Sequence, residues 1–187
     1  ENSNRKSYNK LFNLCSKLML SIINLPIPVI ARVHSTATAA GCQLVATCDL
    51  AVASDKSKFA TPGVNIGLFC STPMVALSRN VAKKQSMEML LTGDMIDAKS
   101  AKLYGLVNRV VQEKDLNKEI DILCNSIISK SSKTIAIGKK AFYKQAELGL
   151  EEAYDFTSKV MVENMLMQDA QEGVSAFIGK RNPEWEK

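Results

Sequence analysis

The chain has 187 residues, of which 46% are apolar and 23% charged, and it carries a net charge of +5. These values fit one folded domain with a sizeable core, and its longest apolar stretch, Leu18 to Ile30, is broken by Ser21, Asn24, Pro26 and Pro28, so no membrane insertion is expected. The basic residues are mixed with acids. The densest run, Lys130 to Lys144, lies on a predicted helix without an aromatic ladder and reads as a solvated face rather than a nucleic-acid patch, while the diffuse positive balance suits a ligand bearing several phosphates.

The spacing of Leu11, Phe12, Leu14, Leu18, Met19, Ile22 and Ile23 predicts a helix over Tyr8 to Leu25, stopped by Pro26 and Pro28. Pro28 to Val33 reads as a short strand, and small residues follow from Ser35 to Gly41. A helix is predicted from about Gly41 to Cys48, then buried strands over Asp49 to Ala53 and Lys58 to Thr61. Gly63 to Pro73 reads as a loop, followed by helices Met74 to Val81 and Lys84 to Leu91 and a turn at Thr92 to Asp94. Asp97 should cap a helix over Ala98 to Tyr104 that ends at Gly105; a strand over Leu106 to Val111 comes next. Asp115 should cap a helix to about Ser129, and three more helices are predicted at Thr134 to Glu147, Leu150 to Met167 and Ala170 to Lys180. The first half thus mixes about four strands with helices, and the second is almost wholly helical. Four short strands are few for a sheet.

The chemistry-bearing residues are sparse. Five cysteines without a C-x-x-C pair and a single histidine, His34, make no zinc set, so no metal site is expected and the thiols read as reduced. Between the strand ending near Val33 and the helix beginning near Gly41 stand only small side chains. Amides at a helix start are unpaired and carry partial positive charge, and small side chains let a ligand oxygen approach them. Residues 39–41 therefore read either as an anion or oxyanion site or as a tight packing contact between strand and helix.

The run Pro28-VIARVHSTATAAGCQLVATCDLAVAS-Asp55 resembles the signature of the crotonase superfamily, the enoyl-CoA hydratases, isomerases and relatives. In that pattern a strand leads to three small residues, here Ala39-Ala40-Gly41, then to C-E-L, here Cys42-Gln43-Leu44, and to a C-D pair, here Cys48-Asp49. Further collinear matches are Phe59-ATPGVNIG, Met87-EMLLTGD leading into Ala98-KSAKLYGLV, and Gln171-EGVSAFIGKR. The resemblance implies an α/β crotonase spiral of strand-strand-helix turns that lacks its N-terminal turns, with residues 1–111 as the spiral core part and 112–187 as a helical C-terminal region used for trimerisation. A family loop that supplies one oxyanion amide would then precede Glu1.

The family's roles carry over residue by residue. The resemblance makes the Ala40 amide an oxyanion donor, beside Gly41. The two glutamates that hydratases use as base and acid fall at Gln43 and Gly63. A glutamine amide takes no proton at neutral pH, though it can hold a water, and a glycine only makes room. Asn65 would hydrogen-bond a thioester or hold its own loop; Cys70 and Ser71 would line the acyl pocket. A Cys70–His34 nucleophile pair lacks an orienting acid and reads as structural, as does Asp49. Phe177 and Lys180, three apart on one predicted helical face, match the residues that reach from a neighbouring subunit to the CoA adenine and phosphates.

The expectation is an acyl-CoA-binding protein of mitochondrial fatty-acid metabolism with a CoA thioester as ligand, no prosthetic group and little hydratase activity. An enzyme with other acid–base residues (a decarboxylase, isomerase or thioesterase) is the second reading. A poorly folding chain, or a cap on a hetero-oligomer, is the third. A homotrimer or hexamer is implied, and stripes such as Ala141, Phe142, Ala146 and Val160, Met161, Met165 read equally as core or as subunit contact.

Overall fold

The computed structural model of the chain describes residues 4–186. It divides into two compact units, one holding Val29–Ile122 with the opening helix up to Ile23, the other Asn24–Pro28 with the residues from Leu123 onward.

In the first unit the opening helix α1 spans Arg5–Asn24 and buries only Met19 and Ile22. Strand β1 (Ile30–Val33) and strand β2 (Thr36–Thr38) lead to helix α2 (Ala40–Thr47). Strands β3 (Leu50–Ser54) and β4 (Lys58–Ala60) follow, then a 3₁₀ turn at Pro62–Ile66 and helices α3 (Pro73–Asn80) and α4 (Lys83–Thr92). Strand β5 (Ile96–Asp97), helix α5 (Ala98–Leu103), strand β6 (Arg109–Val111), a 3₁₀ turn at Glu113–Asp115 and helix α6 (Leu116–Ile128), which belongs to this unit up to Ile122, complete the series. Asp97 caps α5 as its sequence position predicts, its carboxylate accepting the Ser100 N–H at 2.8 Å. Asp115 differs from expectation: it closes the 3₁₀ turn that runs into α6.

The strands form two three-stranded sheets rather than the single small set of about four that the sequence suggests. One has the order β1-β3-β6, all parallel, with Ile30 opposite Leu50 and Val52 opposite Arg109. The other has the order β2-β4-β5, with Thr36 parallel to Lys58 and Phe59 antiparallel to Ile96. Each successive strand pair gives one strand to each sheet, so the backbone winds as a spiral. Strands of two or three residues carry no readable alternation; β2 and β5 are strands because β4 lies between them. Phe59, Val52 and Leu77 are buried at or below 1% exposure and anchor this unit. Polar side chains secure the strand ends: the Asp49 carboxylate accepts the Val29 N–H at 2.7 Å, and Asn108 Oδ1 accepts the Ala51 N–H at 2.7 Å. Asp49 is thereby a structural acid, as its place in the sequence suggests.

The second unit contains helices α7 (Ser132–Gln145), α8 (Leu150–Met165) and α9 (Gln168–Ile178). Ser131 caps α7 through its hydroxyl oxygen, which accepts the Thr134 N–H at 3.1 Å, while the same hydroxyl donates to the buried Asp169 carboxylate. Asp169 also accepts the Glu186 N–H at 2.8 Å, and Lys133 pairs with the Glu186 carboxylate. Trp185 donates its indole N–H to the Ser129 carbonyl at 2.9 Å and packs on Gly173. The terminal segment is therefore strapped onto its own unit. Of the stripes that read equally as core or contact, Phe142, Met161 and Met165 are 64%, 60% and 54% exposed, so they are not core of this chain.

Glu172 holds the same strap. Two N–H groups of Arg181 donate to it at 2.5 and 2.8 Å and the Glu184 N–H at 2.8 Å, which pulls its carboxyl from the ordinary 4.5 down to about 2. A lowered folded-state value stabilises the fold above the ordinary value, and that contribution is lost as pH falls from about 4.5 toward about 2. Trp185 is the chain's one tryptophan, so its emission should shift to the red across that window as the strap loosens. Glu172→Gln should produce part of the same shift at neutral pH, read by steady-state fluorescence.

Candidate functional site

The entry to α2 is built around an unusual backbone. Ala39 has φ 48° and ψ −115°, a left-handed conformation that a side chain disfavours. Two bonds hold it there: its N–H donates to the Ala60 carbonyl of β4 at 3.0 Å, and its carbonyl accepts the Gln43 N–H at 3.0 Å. Ala40 is the first helical residue and is exposed, and among the described residues nothing accepts its N–H. The Ala40 donor depends on its own backbone needing no positive φ. The structure puts the positive φ one residue earlier, so Ala40 is an ordinary helical residue with an intact donor. Gly41 follows, half-buried, with the Ala37 methyl 4.0 Å from where a Cβ would stand.

Such strain costs about 1–3 kcal/mol at a non-glycine residue. Ala39→Gly should therefore raise stability by about 1 kcal/mol after the extra chain entropy of glycine is set against it. Chemical denaturation of the two proteins measures this directly.

Gln43 lies on α2 and is 5% exposed. Its Oε1 accepts the Cys15 thiol hydrogen at 3.5 Å, a tie from α1 that nothing in the sequence marks. Gly63 sits inside the 3₁₀ turn Pro62–Ile66. A Cβ added there would stand 2.6 Å from the Leu68 carbonyl oxygen and 2.9 Å from the Cys70 sulfur. The Leu68 N–H donates back to the Gly63 carbonyl at 2.9 Å, so the loop is folded tightly over this position. The space for a side chain at 63 is already occupied.

Cys70 is 8% exposed and shares a buried cluster with Cys42, which precedes Gln43. Burial, and behind it the neighbouring Cys70, pushes the Cys42 thiol up to about 12, so it stays protonated at neutral pH. Asn65 is exposed and its amide lies against Gly93, 3.1 Å from where a Cβ of that residue would be. His34 is exposed at the end of β1. Among the described residues no cluster of histidine, cysteine or acidic groups could hold a metal, and no helix is long and apolar enough to cross a membrane.

In the second unit, Phe177 is 85% exposed near the end of α9. Lys180 does not share its helical face, contrary to the sequence expectation. The helix stops at Ile178, and Lys180 takes φ 50° in a left-handed helix end. There the Lys180 N–H donates to the Phe177 carbonyl and the Arg181 N–H to the Ala176 carbonyl, at 3.2 and 3.0 Å. Two contacts escape sequence reasoning, those of Cys15 with Gln43 and of Leu68 with Gly63. Each matters through a contact that only the fold creates.

All 187 residues match the family model described as enoyl-CoA hydratase/isomerase. The chain is 55% identical over 181 residues, 96% of its length, to enoyl-CoA hydratase domain-containing protein 3, mitochondrial, of Xenopus laevis, and 52% identical over 185 residues, 99% of its length, to the protein of the same name from Homo sapiens. It spans 62% and 61% of those relatives' lengths. Among solved structures, an enoyl-CoA hydratase of Mycobacterium smegmatis superposes with a TM-score of 0.97 at 53% identity, covering 100% of this chain and 72% of that one. The human domain-containing protein 3 superposes at 0.95 and 52% identity, covering 99% and 73%. The two strand sets wound as a spiral, the small-residue entry to α2 and these matches agree, and the chain belongs to the enoyl-CoA hydratase/isomerase family.

Proposed function

We propose that this chain is an acyl-CoA-binding member of its family that does not hydrate enoyl thioesters. The observation that carries the reading is the filled space at Gly63. Where hydratases place a second glutamate, a Cβ would meet the Leu68 carbonyl and the Cys70 sulfur. With Gln43 at the first position, neither residue can move a proton at neutral pH, and each lost acid–base group costs about 10²–10⁴-fold in rate. The Ala40 amide remains as a donor for a thioester oxygen, an interaction worth about 2.7–4 kcal/mol when preorganised. Gly41, Asn65 and Cys70 stand around that ligand in this reading. Phe177 and Lys180 are assigned to the adenine and phosphates of a CoA held by a neighbouring subunit.

The exposed apolar side chains of α7 and α8, such as Phe142, Met161 and Met165, support a homotrimer or hexamer built through the helical region. The relatives named mitochondrial support a mitochondrial place, and a role in fatty-acid metabolism belongs to the same proposal.

One observation favours a second reading, an acyl-CoA enzyme of different chemistry. The Ala40 amide, exposed and without an acceptor among the described residues, would stabilise the enolate left when CO₂ departs from a malonyl-type thioester, because the breaking C–C bond supplies the electron pair and no base is required. Titration of the purified protein with butanoyl-CoA, alongside assays of crotonyl-CoA hydration and malonyl-CoA decarboxylation, separates the cases. Saturable binding without turnover is the expected result. Hydration at the rate of a true hydratase would sink the proposal, and decarboxylation would favour the second reading.

A further inference from the structure

Helix α1 carries an apolar stripe that its unit covers only in part. Tyr8, Leu11, Phe12, Cys15, Met19 and Ile22 recur three and four apart, so they line one side of the helix. Only Met19 and Ile22 are buried, and the stripe is uncovered over its first half. Tyr8, Leu11, Phe12, Leu14 and Leu18 stay exposed by about half or more. Single exposed apolar side chains are ordinary, but these adjoin: Leu14 comes three after Leu11 and four before Leu18.

The charge of α1 says what fits that surface. The helix holds Arg5, Lys6, Lys10 and Lys17 and no acidic residue. All four are exposed, and none is ion-paired among the described residues. Leu14 comes four after Lys10 and three before Lys17, so cations border the exposed leucines along one edge. A basic amphipathic helix of this kind suits the boundary between lipid headgroups and acyl chains. The leucines enter the acyl boundary while the lysine stems reach back to the phosphates. No described helix is long and apolar enough to cross a membrane, so the contact is with one surface. A second copy of α1 fits less well, because it would bring four cations against four. A protein groove would have to match a convex ridge, whereas a fluid acyl layer closes over it. We infer that α1 docks the protein on the surface of a bilayer that contains anionic lipids. Such docking needs no part of the acyl-CoA reading.

The test is sedimentation of the whole protein with vesicles of phosphatidylcholine alone and with vesicles containing about one-third phosphatidylglycerol. The native protein should bind the anionic vesicles about tenfold more tightly than the neutral ones, and added salt should weaken that binding. Lys10→Glu with Lys17→Glu should remove the preference. Leu14→Ser with Leu18→Ser should weaken binding to the anionic vesicles about tenfold at unchanged net charge, which a purely electrostatic contact elsewhere on this basic chain would not show. All four side chains are exposed, so both variants should keep the fold, checked by circular dichroism. Failure of the native protein to bind either vesicle overturns the inference, and so does either double variant binding like the native protein. A dimer in sedimentation velocity that Leu14→Ser with Leu18→Ser dissolves, without vesicle binding, gives the stripe to a second copy and overturns it as well.

Discussion

Gly63→Ala should lower stability by about 1–3 kcal/mol, the usual cost of forcing a group into a packed site. The single added carbon would stand 2.6 Å from a backbone oxygen and 2.9 Å from a sulfur. The sulfur belongs to a side chain and can swing away, but the Leu68 carbonyl is fixed by the Leu68 N–H bond back to Gly63. Cys70→Ala should therefore rescue Gly63→Ala only in part. Gly63→Glu should cost more, since the whole carboxylate must leave the turn. The double variant Gln43→Glu, Gly63→Glu should gain no crotonyl-CoA hydration, because the second carboxylate cannot stand where the loop now lies. Urea denaturation and an absorbance assay of hydration check the two halves. A neutral Gly63→Ala would mean that the loop opens readily, and the case for a lost hydratase site would weaken with it.

Phe59→Ala should be the most damaging single change, at about 3–5 kcal/mol. Phe59 is the middle residue of β4, fully buried, with Ala37 of β2 on one side and Ile96 of β5 on the other. The next residue, Ala60, supplies the carbonyl that holds the Ala39 N–H. A cavity under β4 thus acts on the site as well as on the fold, and affinity for an acyl-CoA should fall in the population that stays folded. Phe59→Leu, which keeps most of the volume, should cost less and retain binding. Equal affinity of Phe59→Ala and native protein would show that the helix entry is held by local geometry alone.

The long elements are legible in the amino-acid sequence. Apolar periodicity locates the helices, Pro26 and Pro28 end the first of them, and Asp97 caps α5 as expected. These signals are local, carried by neighbours within one or two turns. The family motif likewise marks Ala40, Gln43 and Gly63 by their order in the chain. The short strands β2 and β5 are not legible, since two or three residues acquire strand geometry only from the partner β4. Lys180 leaves its expected face because extending a helical pattern by two residues ignores where the backbone turns.

The sequence by itself determined the residue types at the positions that the resemblance marks, Ala40, Gln43 and Gly63. It also limited the chemistry, because residue type alone says that neither Gln43 nor Gly63 moves a proton at neutral pH. Only the tertiary structure decided what those residues touch. The strained Ala39 is held by Ala60, the Gln43 amide is turned by Cys15, and the place beside Gly63 is filled by Leu68 and Cys70. Steric exclusion and hydrogen-bond direction depend on distances between atoms that the chain brings together only by folding, and those distances leave no room for a Cβ at Gly63.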